Sequence, residues 1–161
     1  MEFKERVQLR GVWRVSKFGS AEALRRNQPY EIGSPFENIF VTVGLAELWM
    51  LVTGQGGIPF SAANAFLGVG DSVVAPAVGQ TDLLGANKVR AGMNGGFPPA
   101  PIGGVEQWQA DFGPAVANFS WDEFACFNAA AAGTMLNRTT SAQGVKPPGD
   151  TWRLTLTITI S

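Results

Sequence analysis

The chain has 161 residues, and its 12 Lys and Arg residues nearly balance its 13 Asp and Glu residues, giving a formal net charge of -1. This length predicts one domain, residues 1–161, with its own core. There is no histidine and one cysteine, Cys126, which excludes His-based catalysis, histidine metal sites, an intrachain disulfide and a thiolate zinc site. The near-zero net charge argues against a nucleic-acid partner.

Charged residues make up only 16% of the chain, which predicts that part of the surface is covered by a partner. The first ten residues, MEFKERVQLR, are charged and alternating, unlike a signal peptide. The longest uncharged stretch, residues 48–70, is interrupted by glycine and proline, unlike a transmembrane helix. We therefore expect a soluble protein with no membrane association, either from a reducing compartment or one that never needed disulfides.

Residues 2–16 alternate between apolar and polar side chains, which predicts a strand or hairpin arm with one buried face. We expect residues 1–18 to form a strand or an arm that contacts a neighbouring subunit. A basic stripe, defined as Lys4, Arg6, Arg10 and Arg14, lies on the polar face. Two interpretations of this stripe stay open, a solvated face and a docking site for an acidic partner surface.

One clear helix is predicted over residues 45–52. Leu45, Leu48, Trp49 and Val52 have the i, i+3, i+4, i+7 spacing of one helical face. Thr42 is the expected N-terminal cap, and Gly54 is the expected C-terminal stop. The AEALRR segment in the polar connector before it is compatible with a single helical turn.

Glycine and proline are dense from residue 54 to residue 104, which predicts long loops. Within them, residues 66–69 are a candidate strand that ends in a GVGD turn. Alternation returns over residues 107–112 and 117–127, and it is clearest in the C-terminal TWRLTLTITIS. Strands at both ends, many turns and one short helix predict a mainly β fold, an antiparallel β-sandwich or jelly-roll-like domain.

Glu123 falls on an apolar face of the predicted 117–127 strand, and a buried carboxylate needs a partner. Arg138 is the leading candidate if the two strands are neighbours. A structural ion pair is the favoured interpretation, and a catalytic carboxylate is the alternative. Cys126 is expected to be a buried apolar thiol. No residue pattern builds an active site, so the sequence predicts a non-enzymatic protein with no cofactor and no metal.

Several segments, in order along most of the chain, resemble small structural proteins of tailed bacteriophages. The opening pairs RGVWRVSKFG with ENIFVTVGLAELW, a Trp-containing strand followed by a Gly-Leu segment that enters a helix. Further along come GVGD, QTDLLG, ANFSWDEFACFNA, MLNRT and the closing TWRLTLTITIS. The resemblance implies a virion component made in the host cytoplasm, and it carries over no catalytic residues.

The function expected from this resemblance is that of a capsid decoration (cement) protein that stabilises the shell. The alternatives are a tail, neck or fibre subunit involved in assembly or host adsorption and, in a different class, a carboxylate-based glycosidase, for which no facing pair of acids is visible. The expected partners are the major capsid protein or tail proteins, and further copies of the chain in a homo-oligomer, with a trimer suggested by the three-fold sites of capsids. The predicted interface combines the basic stripe with Trp152 and Arg153 of the last strand.

Overall fold

The computed structural model describes residues 7–161, and within that range the chain forms ten strands and two helices. In chain order these elements are β1 (Leu9–Phe18), α1 (Ala21–Arg25), β2 (Glu31–Ile32), β3 (Phe36–Glu37), β4 (Ile39–Phe40), α2 (Thr42–Thr53), β5 (Phe66–Gly70), β6 (Lys88–Gly92), β7 (Val105–Phe112), β8 (Glu123–Phe127), β9 (Met135–Thr140) and β10 (Thr151–Ile160).

The strands form two antiparallel sheets that pack face to face. Sheet A has the strand order β2-β1-β10-β7, with β3 also paired to β1, and sheet B has the order β4-β9-β8-β5-β6. A core that includes buried residues of both sheets fills the space between them. The predicted mainly β fold and its sandwich architecture are thus confirmed.

The C-terminal strand β10 lies in the middle of sheet A. Its apolar residues Trp152, Leu154 and Leu156 are buried against sheet B, while its threonines point to the outer face. β1 and β7 flank it along nearly its whole length, with Leu156 opposite both Trp13 and Trp108. Both backbone edges of β10 are therefore occupied within the chain, which removes the aggregation hazard of an exposed apolar strand.

Sheet B has apolar clusters on both faces. Leu67 and Phe124 belong to the core between the sheets, whereas Ala125 and Phe127 belong to a smaller cluster on the opposite face. The prediction that residues 117–127 form one strand with one apolar face is wrong. Strand β8 begins only at Glu123, and the two residues before it are not in a strand. The alternation of β8 therefore does not extend to Trp121, which lies in the inter-sheet core.

The predicted helix is present, but it is longer than expected and begins differently. α2 spans Thr42–Thr53, and Gly54 ends it in a left-handed conformation with φ 68°, as predicted. Thr42 is the first helical residue rather than the cap, and Val41 at the cap position makes no side-chain hydrogen bond. The AEALRR segment forms the second helix, α1, so one helix was an underestimate for residues 7–161.

Gly44 is the point at which α2 comes closest to sheet B. A Cβ added there would lie 2.4 Å from the carbonyl oxygen of Leu136 and 2.6 Å from its Cα. Helix propensity alone favours Gly→Ala in a helix by about 1 kcal/mol. The backbone clash outweighs this gain, because neither main chain can move without disturbing the helix or β9.

We therefore expect Gly44→Ala to lower the free energy of unfolding by about 1–3 kcal/mol, as overpacking does. Urea denaturation of the purified protein measures this change. The matched control is Gly79→Ala, because an added Cβ at Gly79 meets no heavy atom within 4 Å. A stabilising Gly44→Ala would show that α2 does not pack this closely on β9.

Candidate interaction surface

Three of the four apolar residues that define the predicted helical face of α2 are exposed to solvent. Leu45, Trp49 and Val52 have 40%, 68% and 76% of their surface exposed. We call these three residues the helix surface. Only Leu48 of the predicted face packs against the inter-sheet core, where Leu51 joins it. Contiguous exposed apolar residues of this kind mark interaction sites on soluble proteins.

The helix is turned this way because Gly44 and Glu47, rather than large apolar residues, occupy its buried side. The carboxylate of Glu47 accepts hydrogen bonds from the backbone N–H of Ile58, at 2.6 Å, and from the side-chain amide of Asn128, at 3.1 Å. These bonds fix α2 to the loop that follows it and to the end of β8. A hydrophobicity pattern misses this arrangement because it places glycine and glutamate on the solvent side.

We expect Glu47→Ala to lower the free energy of unfolding by about 2–3 kcal/mol, because it removes the carboxylate that accepts from the buried amide of Asn128 and from the partly buried N–H of Ile58. Glu47→Gln keeps one side-chain oxygen as an acceptor, so its free energy of unfolding should fall by less than that of Glu47→Ala. Chemical denaturation gives the stability, and amide hydrogen exchange shows whether α2 is the region that opens. Equal stability of Glu47→Ala and the parent would contradict this role of Glu47.

Glu123 and Arg138 form a buried ion pair on the outer face of sheet B, with Nη2–Oε2 2.6 Å and both side chains 0% exposed. The pair also organises the loop between β5 and β6. Glu123 accepts hydrogen bonds from the backbone N–H groups of Leu84 and Gly85. Arg138 donates to the carbonyl oxygen of Val74, at 3.0 Å. These contacts favour the structural interpretation of Glu123, because its carboxylate oxygens are bonded within the fold.

The loop held by this ion pair presents a second group of exposed apolar residues, Val73, Val74 and Val78, which we call the loop valines. The backbone N–H of Thr42 donates to the carbonyl oxygen of Val78 at 2.8 Å, so the loop meets the first turn of α2. Glu47 is the only charged residue of α2, and it is buried. The solvent-facing side of the helix therefore carries no charge.

Asp82 anchors the far part of the same loop to β6. Its carboxylate accepts hydrogen bonds from Lys88 at 2.8 Å and from Arg90 at 2.9 Å. Partial burial acts to raise the pKa of Asp82, but these two hydrogen bonds, a third from the backbone N–H of Leu83 and the charge of Lys88 together hold the pKa below its ordinary value. The guanidinium of Arg90 also stacks over the ring of Phe127, 3.3 Å from its centroid. The loop is thus tied to sheet B at both ends.

The predicted basic stripe is only partly available to a partner. Arg10 is exposed but forms an ion pair with Glu37. Arg14 is exposed in a polar groove on the outer face of sheet A, which it shares with Gln107, Gln109, Thr155 and Thr157. Lys4 and Arg6 lie outside the described residues. Within residues 7–161, Arg14 is the member of the stripe with no carboxylate within 4.0 Å.

Trp152 is buried, which contradicts its predicted interface role, whereas the interface role of Arg153 stays a prediction. Trp152 is 2% exposed and packs edge-on against Trp121, with ring centroids 5.0 Å apart. Arg153 is held by Asp111 through two hydrogen bonds, of 2.7 Å and 2.9 Å. Both assignments assumed that the last strand is a contact element, whereas β10 lies between β1 and β7.

Cys126 is fully buried as expected, and burial raises the pKa of its thiol. Residues 7–161 contain no group of three or more Cys, Asp or Glu side chains placed to hold a metal ion. None of the helices in the same range is long and apolar enough to cross a membrane.

Comparisons with protein-family models, with curated proteins and with solved structures find no match.

Proposed function

We propose that this chain is a non-enzymatic structural subunit that assembles with further copies of itself and with other proteins through the helix surface. The exposed, uncharged apolar side of α2 is the observation that carries the proposal. Burial of apolar area drives association, and aromatic residues such as Trp49 are enriched at the centres of interfaces. The loop valines extend the apolar area beside the first turn of the helix.

The assembly we propose is the virion of a tailed bacteriophage, and its sole support is the order of short segments that resemble small phage structural proteins. The proposed role is that of a capsid decoration (cement) protein bound to the major capsid protein, where many weak contacts act together. A trimer would match the three-fold sites of a shell. A tail, neck or fibre subunit is the alternative location in the same particle.

Sedimentation of the purified chain tests the assembly, and electron microscopy of phage particles that incorporate it tests the location. We expect a concentration-dependent oligomer and added density at symmetry points of the shell. Density confined to the tail would support the alternative. A chain that stays monomeric and binds no part of a particle would contradict the proposed function.

Arg14 provides a separate test of whether the basic stripe takes part in docking. If it does, Arg14→Glu should lower the occupancy of the protein on purified particles, and added salt should weaken attachment of the parent. Unchanged occupancy in both experiments would show that the basic stripe is a solvated face and not a docking site.

A further inference from the structure

An apolar cavity of about 400 Å³ opens at one end of the sandwich, between the two sheets. Trp108 and Ile158 line it from sheet A, and Leu136 lines it from sheet B. Leu48 and Leu51 of α2, which pack against the inter-sheet core, form a further wall. Its volume falls within the range of about 300–1,000 Å³ that is typical of small-molecule sites.

The position of the cavity distinguishes it from a packing defect. Protein cores are close-packed and contain few voids larger than a water molecule. This cavity opens to solvent at a rim that includes Pro59, Pro101 and Gly103, all of them exposed. A small apolar molecule therefore has both a space to fill and a way to enter.

Glu106 gives the cavity its chemical character, because among residues 7–161 it is the one charged side chain in the lining. It lies opposite Ile158 in the β7–β10 register, two residues before Trp108, and so on the inner face of sheet A. Its Oε1 accepts a hydrogen bond from the backbone N–H of Gln107 at 2.8 Å. Within residues 7–161, no Lys or Arg nitrogen lies within 4.0 Å of its carboxylate.

We propose that this cavity binds a small amphiphilic cation, a molecule with an aliphatic or aromatic body and an ammonium or guanidinium group at one end. The apolar walls remove the body of the ligand from water, and the cation lies beside the carboxylate of Glu106. A charge pair next to apolar walls is screened less than one in bulk water. The proposal does not depend on the assembly proposed above, since the residues given for its lining belong neither to the helix surface nor to the loop valines.

Three probes with the same chain length test the proposal by isothermal titration of the full chain: octylammonium, 1-octanol and octanoate. We expect one octylammonium per chain, bound about tenfold more tightly than octanoate because the carboxylate attracts one and repels the other. Octanol should bind with an intermediate affinity. Failure of all three to bind would overturn the site, and equal binding of octylammonium and octanoate would overturn its preference for a cation.

Two variants locate the binding. Glu106→Gln keeps an oxygen that can accept the hydrogen bond from Gln107, and it should abolish the difference between octylammonium and octanoate while leaving octanol unchanged. Ser61→Phe adds a ring at the cavity lining and should weaken the binding of all three probes. An unchanged melting temperature would show that this variant is folded. Octylammonium that binds folded Ser61→Phe and the parent equally would place the site elsewhere and overturn the proposal.

Discussion

We expect Glu123→Ala to lower the free energy of unfolding by about 3–5 kcal/mol, the usual consequence of removing one partner of a buried ion pair. Arg138 has no exposed surface, so its guanidinium would stay buried without a carboxylate. The backbone N–H groups of Leu84 and Gly85 would lose their acceptor at the same time. Glu123→Gln retains an acceptor but not the charge, so its free energy of unfolding should fall by less than that of Glu123→Ala.

Guanidinium denaturation of the two variants and the parent measures this effect. The matched control is Glu22→Ala, which removes a carboxylate from an ion pair on the surface of α1, with Glu22 48% exposed. Surface pairs contribute about 0–1 kcal/mol, so the control should unfold almost like the parent. If both Glu123 variants were as stable as Glu22→Ala, Glu123 would have to be exposed in solution, against the register of β8 and β9.

The second large effect concerns assembly. We expect the double variant Trp49→Gln, Val52→Gln to weaken self-association by at least about 100-fold, since truncation of a single interface hot spot already costs about 2 kcal/mol or more. Trp49 and Val52 are exposed, so the fold of the separate chain should not change. Sedimentation equilibrium over a range of concentrations measures the association constant.

Val145→Gln is the control for this experiment, because Val145 is 66% exposed but lies outside the helix surface and the loop valines. It should associate like the parent. An equal loss of association in the control and in the double variant would point to a general effect of surface polarity. Association unaffected by the double variant would show that the helix surface is not the interface.

The strands at the two ends were predictable because their pattern is local. Leu154, Leu156 and Ile158 alternate with threonines whichever strands lie beside them, and the structure places β10 where this pattern indicates. The neighbours of β10 were not predictable, since its pairing with β1 and β7 joins residues 40 or more positions apart, such as Leu156 and Trp108. Trp152 was assigned to an interface for that reason.

The spacing of the apolar residues does not predict the orientation of α2, because the residues that fix it are a glycine and a glutamate. Gly44 allows close approach to Leu136, and Glu47 bonds to Ile58 and Asn128 far along the chain. Neither contact has a signature in local hydrophobicity. Strand β6 was missed for a related reason, since KVRAG contains two charges and a glycine and is a strand only because it pairs with β5.

One residue of the cavity lining, Glu106, could have been recognised from the sequence pattern of β7. Trp108, Ala110 and Phe112 define the apolar face of β7, and the same alternation extended backwards puts Glu106 on that face. A carboxylate at the end of an apolar face indicates an unusual environment for that side chain, by the same reasoning that singled out Glu123. The cavity itself has no sequence signal, because its walls come from both sheets and from α2.

Oxidative footprinting of Trp49 is the most direct test of the claim that α2 is covered by another subunit. Hydroxyl radicals modify exposed tryptophan, and mass spectrometry compares the dissociated protein at low concentration with the assembled protein, identified by sedimentation. The account predicts that Trp49 is modified in the dissociated protein and protected after assembly, while the fully buried Trp13 is protected in both. Equal modification of Trp49 in the two states would contradict it.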